Sequence, residues 1–171
     1  MKKRKTLIVF FILLLASALM IFIFSAQNGE KSADVSQFFT EKFLKIFHME
    51  DVSFAKTEHL LRKAAHFIEF FVLGAMLCLF LSAFFRSYAA RGLISFGLSF
   101  LYAIADEWHQ YFIPNRSASL KDVFLDGMGA LCGVFFVLLI RWILSLGKKR
   151  READRNGFSQ HGTAIDKKEK I

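Results

Sequence analysis

From Leu7 to Phe24 the chain carries no charged side chain and only one polar residue, Ser17. At about 1.5 Å of rise per residue, a helix of this length approaches the roughly 30 Å of a hydrocarbon core. Three further runs, about 64–85, 92–112 and 122–146, are almost as apolar. A soluble domain would distribute its apolar residues in amphipathic stripes. Here they are continuous, so the apolar surface is meant for lipid. Inside lipid every backbone polar group must be satisfied within the protein, which leaves helices or a closed barrel. The single proline, at 114, leaves all four runs free to be helical. The expected fold is all-α: an integral membrane four-helix bundle, multi-pass in the plasma membrane.

The flanking charges divide the chain into a basic N-terminus (1–6), a membrane domain (7–146) and a tail (147–171). The tail is polar and is expected to be a disordered cytoplasmic extension. A net charge of +8 can indicate nucleic acid, but much of it sits in Lys2–Lys5 and Lys148–Arg151, beside apolar runs. That placement fits topogenic charge and attraction to anionic lipid, with no nucleic-acid partner. The first run is longer than the 7–15 residues of a signal-peptide core, so it is read as a retained span. Cys78 and Cys132 match no zinc or redox spacing and read as small packing residues.

Residues 29–61 form the longest connection. Val35, Phe38, Phe39, Phe43, Ile46 and Phe47 recur there at helical spacing among polar residues, predicting an extracytoplasmic amphipathic helix over 32–48. Ser53 is a plausible start for a further helix leading into the second span. The lysines and arginines at the N-terminus, at 86 and 91, and at 148–151 fall on one side of an even number of spans. Both termini are therefore expected in the cytoplasm, with Ser117 outside.

Against this apolar background stand two polar clusters. Arg62, Lys63, His66 and Glu69 open the second span; Asp106, Glu107, His109 and Gln110 close the third, ahead of Arg116, Asp122 and Asp126. An ionisable residue at membrane depth costs roughly 2.5–3.5 kcal/mol on insertion scales, so these residues should gather at one shared site. The apolar part of the third run, 92–105, is too short to span, which places its acidic end at membrane depth or at the interface. Arg62, His66 and Glu69 share one helix face, as do Asp106, His109 and Gln110. Asp122, Asp126, Gly129 and Gly133 form a third stripe, whose Gly-x-x-x-Gly signals close helix packing.

Three chemistries suit this set. His66, Glu69, Asp106 and His109 are the candidate catalytic residues, with a histidine oriented by an acid as general base. The same four with Asp126 resemble carboxylate–histidine pairs that hold a divalent metal between bundle helices. Arg62, Lys63 and Arg116, with Glu107, Gln110 and Asp122, are candidates for binding a charged amphiphile. Single residues also have plainer readings: Arg62, Lys63 and Lys121 snorkelling to the interface, Trp108 in an aromatic belt, Asp122 capping a helix. The Asp-Glu-x-His stretch lacks the second histidine of a zincin, and no Gly-x-Ser-x-Gly is present.

At these residues the chain resembles the VanZ-like family of small bacterial membrane proteins. The likeness lies in Lys63–Phe70 with Leu73-Gly74, in Asp106–Arg116, and in Ser119–Ala130, with Phe24-Ser25-Ala26-Gln27 resembling the end of the family's first span. It covers roughly residues 22–145. Asn115 stands where glycine is common, and Asp126 where asparagine is frequent. The resemblance implies a cell-envelope protein, chiefly of Gram-positive bacteria, linked to reduced susceptibility to glycopeptides such as teicoplanin. It implies no particular reaction. Three functions remain open: a non-catalytic envelope protein acting through an outward-facing polar pocket, a membrane enzyme acting on a lipid-linked cell-wall intermediate, and a structural or partner-binding protein. Besides the lipid bilayer, the partners expected are a lipid-linked precursor or a lipoglycopeptide.

Overall fold

Five helices account for nearly all of the chain in a computed structural model that describes residues 2–48, 52–116 and 118–168. They are α1 (Lys2–Ser25), α2 (Gly29–Phe47), α3 (Phe54–Leu81), α4 (Tyr88–Tyr111) and α5 (Leu120–Lys168). No strand occurs among the described residues. Four helices, all but α2, are long and apolar enough to cross a membrane. Ser117, expected on the outer side, lies outside the described residues.

The helix boundaries follow local chemistry. Ser87 caps α4, its hydroxyl accepting the Ala90 N–H at 3.3 Å, so this helix begins four residues before the expected position. Leu81 ends α3 short of the expected Phe85, leaving a connection from Ser82 to Ser87. Pro114 follows the end of α4 closely, as a residue that cannot continue a helix. Ser53 precedes α3, which runs without interruption through the whole first polar cluster. The backbone of α5 is helical to Lys168, past position 147. The run Lys148–Ala153 is made of good helix formers with no proline, so nothing local breaks it.

The chain forms two units, Met1–Val137 and Leu138–Ile171. The second is the later part of α5, with Trp142, Ile143 and Leu144 exposed. In the first, α3 is the central element, packed on α1, α2 and α4. Its core is Ile21, Phe70, Leu73, Ala103, Val123 and Ala130. Most of α1 is exposed and apolar all round, as suits a helix bathed in lipid. α5 lies directly on α3: a side chain at Gly129 would strike the backbone of Phe67, and one at Gly133 that of Phe71. Lipid tails are as apolar as leucine, so such helices associate through close van der Waals packing, which small residues permit. Of the two cysteines, Cys78 is buried as expected. Cys132 is exposed, because it lies on a face of α5 turned away from the packing residues Gly129 and Gly133.

The amphipathic helix is present, and its buried seam includes polar residues. Ser32, Ser36 and the fully buried Thr40 face inward, while Val35, Phe38, Ile46 and Phe47 are exposed. Hydrogen bonds hold this seam in place. Ser36 donates to Glu58 of α3, and Ser32 accepts from Arg116 at 2.9 Å.

A buried polar centre beside an apolar cavity

The end of α1, the start of α3, the end of α4 and the start of α5 meet at one end of the first unit. The loop after α4 ties them together. Its Asn115 adopts a left-handed backbone (φ 59°), which asparagine tolerates better than most residues. The neighbouring Pro114 carbonyl accepts the Gly29 N–H at 3.1 Å, and a side chain at Gly29 would collide with Asn115. Arg116 then reaches back to the Phe24 carbonyl (3.1 Å) and to Ser32. Burial lowers the pKa of this guanidinium, while nearby Asp106 pulls it up. It stays a cation at any physiological pH.

One imidazole nitrogen of His66, one carboxylate oxygen of Asp106 and one of Asp126 lie within 4.8 Å of one another. They come from α3, α4 and α5 respectively. Glu69 stands one turn along from His66, its Oε2 4.0 Å from the histidine Nδ1, too far for a hydrogen bond. Gln110 donates to Asp106 at 2.8 Å and orients that carboxylate. Asp126 is 1% exposed, and neither of its oxygens has a hydrogen-bond partner; the His66 Nδ1 has none either. Buried polar groups are nearly always partnered, and these three atoms are not.

His109 is not part of the centre. Its ring packs edge-on against Phe22 of α1, with centroids 5.0 Å apart; it is not among the three residues whose ligand atoms converge, and its buried Nδ1 has no hydrogen-bond partner. Three residues along a helix amount to a turn of about 60° away from Asp106. In a narrow bundle that is enough to face another neighbour.

The candidate amphiphile-binding residues also separate. Lys63 and Asp122 form an ion pair joining α3 to α5. Glu107 accepts the Ser119 N–H at 2.9 Å, and Gln110 is engaged by Asp106. Arg62, held by Glu58 at 3.2 Å, and Arg116 instead line a cavity of about 430 Å³. The cavity lies under α2, with walls from Phe24, Val35, Phe39, Phe43, Leu61 and Ile68, and with His66 and Glu69 among its polar groups. It is the feature that sequence patterns do not disclose, because its wall is assembled from α1, α2 and α3.

A second polar stripe runs along α4. Arg91 is 3% exposed, its guanidinium over the Tyr88 ring. Ser95 and Ser99 follow it on the same buried face, and Ala103 and Asp106 continue it. The four-residue spacing of Arg91, Ser95 and Ser99 was the available signal.

No curated protein and no solved structure matches the chain. The VanZ/LLP1 family model matches residues 10–141, which take in all the residues of the polar centre and its cavity. This multi-pass membrane protein belongs to the VanZ-like family.

Proposed function

We propose that this protein lowers the susceptibility of a bacterial envelope to glycopeptide and lipoglycopeptide antibiotics by holding an anionic amphiphile in the cavity beneath α2. The observation that carries this reading is the composition of the cavity. Apolar walls from Phe39, Phe43 and Leu61 suit a hydrocarbon chain, and Arg62 and Arg116 suit a phosphate or carboxylate headgroup. The amphiphile is a lipid-linked cell-wall precursor or the lipoglycopeptide itself. The same reading puts both termini in the cytoplasm and the polar centre toward the outer face, as the basic residues at 2–5 and 148–151 favour.

Filling the cavity tests the idea. Ala65→Trp should abolish protection against teicoplanin and weaken binding of a polyprenyl phosphate by at least tenfold in native mass spectrometry. Binding of the corresponding phosphate-free alcohol should be weak already. Full protection by Ala65→Trp at normal protein level would reject the cavity as the working site.

A second reading, a membrane enzyme acting on the same lipid-linked intermediate, is favoured by one observation. His66 lines the cavity while also touching the buried acidic centre, as a general base would.

A further inference from the structure

We infer that His66, Asp106 and Asp126 bind a divalent first-row transition metal ion, with Glu69 available as a fourth ligand. The inference goes beyond the amphiphile reading and does not depend on it.

Three helices each deliver one ligand atom to a common point, and the three atoms already lie within 4.8 Å of one another. Around an ion with bonds of about 2.0–2.2 Å, ligand atoms stand roughly 3–4 Å apart, so closing the set takes side-chain rotation and no helix movement. The site is buried: Asp106 is 5% and Asp126 1% exposed. Both Asp126 oxygens lack any hydrogen bond, although a carboxylate at this depth would ordinarily have several. The two basic residues whose charge acts on the centre, Lys63 and Arg116, make their hydrogen bonds elsewhere. Lys63 pairs with Asp122, and Arg116 hydrogen-bonds Phe24 and Ser32. Among the described residues no cation is bonded to Asp106 or Asp126, and Arg116 acts on Asp106 only as a nearby charge, so the pair lacks a bonded counter-charge. A divalent ion supplies it, and such an ion is commonly the largest charge in its site.

The ligand types narrow the ion. Imidazole favours zinc, iron, copper or nickel, whereas carboxylate oxygens favour manganese, magnesium or calcium. One nitrogen with two or three oxygens is a mixed set, suited to Zn²⁺ or Mn²⁺ and poor for Ca²⁺. Gln110 supports the assignment, because by fixing Asp106 it orients a ligand in the way outer hydrogen bonds do at metal centres.

The test uses tag-free, full-length protein in detergent, stripped with chelator and dialysed, with no amphiphile added. Titration with ZnCl₂ or MnCl₂ should show one tight equivalent, with CaCl₂ at least a hundredfold weaker. Asp126→Asn, which keeps the shape of the side chain, should weaken binding at least a hundredfold, and His66→Ala likewise. His59→Ala, on the exposed side of α3, should bind as the parent does. Pulsed EPR of the Mn²⁺ form should report a coupled histidine nitrogen, a readout that needs no variant to fold. No stoichiometric binding by the parent protein, unchanged binding by a folded Asp126→Asn variant, or a Mn²⁺ spectrum without nitrogen coupling would each overturn the assignment. Because these arms contain metal alone, a failure here leaves the amphiphile reading standing, and failure of polyprenyl phosphate to bind leaves the metal site standing.

Discussion

The carboxylate of Glu107, on α4, accepts a hydrogen bond at 2.9 Å from the backbone N–H of Ser119, the residue that caps α5. Ser119 in turn accepts the Lys121 N–H through its hydroxyl. In a capping box, an acidic residue three positions into the helix reaches back to the cap's N–H. Asp122 occupies that position but is paired with Lys63, and Glu107 takes over its task from a different helix. The start of α5, which carries Asp126, is thereby anchored to the helix that carries Asp106.

This arrangement predicts the effect of losing the glutamate. Glu107→Ala should destabilise the protein by about 1–3 kcal/mol, the cost of leaving a half-buried backbone donor without its charged partner. Glu107→Gln, whose amide oxygen still accepts, should recover most of that loss. Thermal unfolding in detergent measures both, and equal midpoints for the two variants would contradict the capping role.

Close packing of α5 on α3 predicts that Gly133→Val is poorly tolerated, because its side chain would meet the Phe71 carbonyl and the Ala75 backbone. Overpacking of a tight contact costs about 1–3 kcal/mol, and here the obstacle is backbone rather than a yielding side chain. Gly97→Val, with nothing within 4 Å of the position, should change little by that mechanism. Steady-state levels and thermal midpoints of the two variants compare them directly.

Functional coupling within the polar centre should appear as non-additivity. His66→Ala and Asp106→Asn should each remove nearly all protection against teicoplanin at normal protein level. The double variant should be scarcely worse than either, since members of one unit fail together. Multiplying losses would mean that the two residues act separately.

Orientation is open to a chemical check. With Cys78 and Cys132 replaced, a cysteine introduced by Ala118→Cys, exposed in the loop before α5, should react with a membrane-impermeant maleimide in intact cells. Reaction only after lysis would reverse the topology and turn the polar centre toward the cytoplasm.

The four spans, the amphipathic connection and the helix stop near Pro114 were legible in the sequence because they depend on neighbouring residues. Hydrophobic run length, capping residues and 3.6-residue periodicity all act within one element. The polar stripes of α3, α4 and α5 were legible for the same reason, as was their need to converge, since the cost of a charge at membrane depth is independent of topology. Which member of a stripe reaches the centre was decided only by tertiary structure. Asp106 and His109 differ by about 60° around α4, and the rotation of that helix depends on its packing against α1 and α3, so it admits the first and turns the second onto Phe22. The burial of Arg91 was likewise decided by packing, since a basic residue near a span reads only as a flanking charge in the sequence. The cavity had no local signature either: Phe24, Phe39 and Arg62 come from three helices, and only their docking places an apolar wall beside a guanidinium.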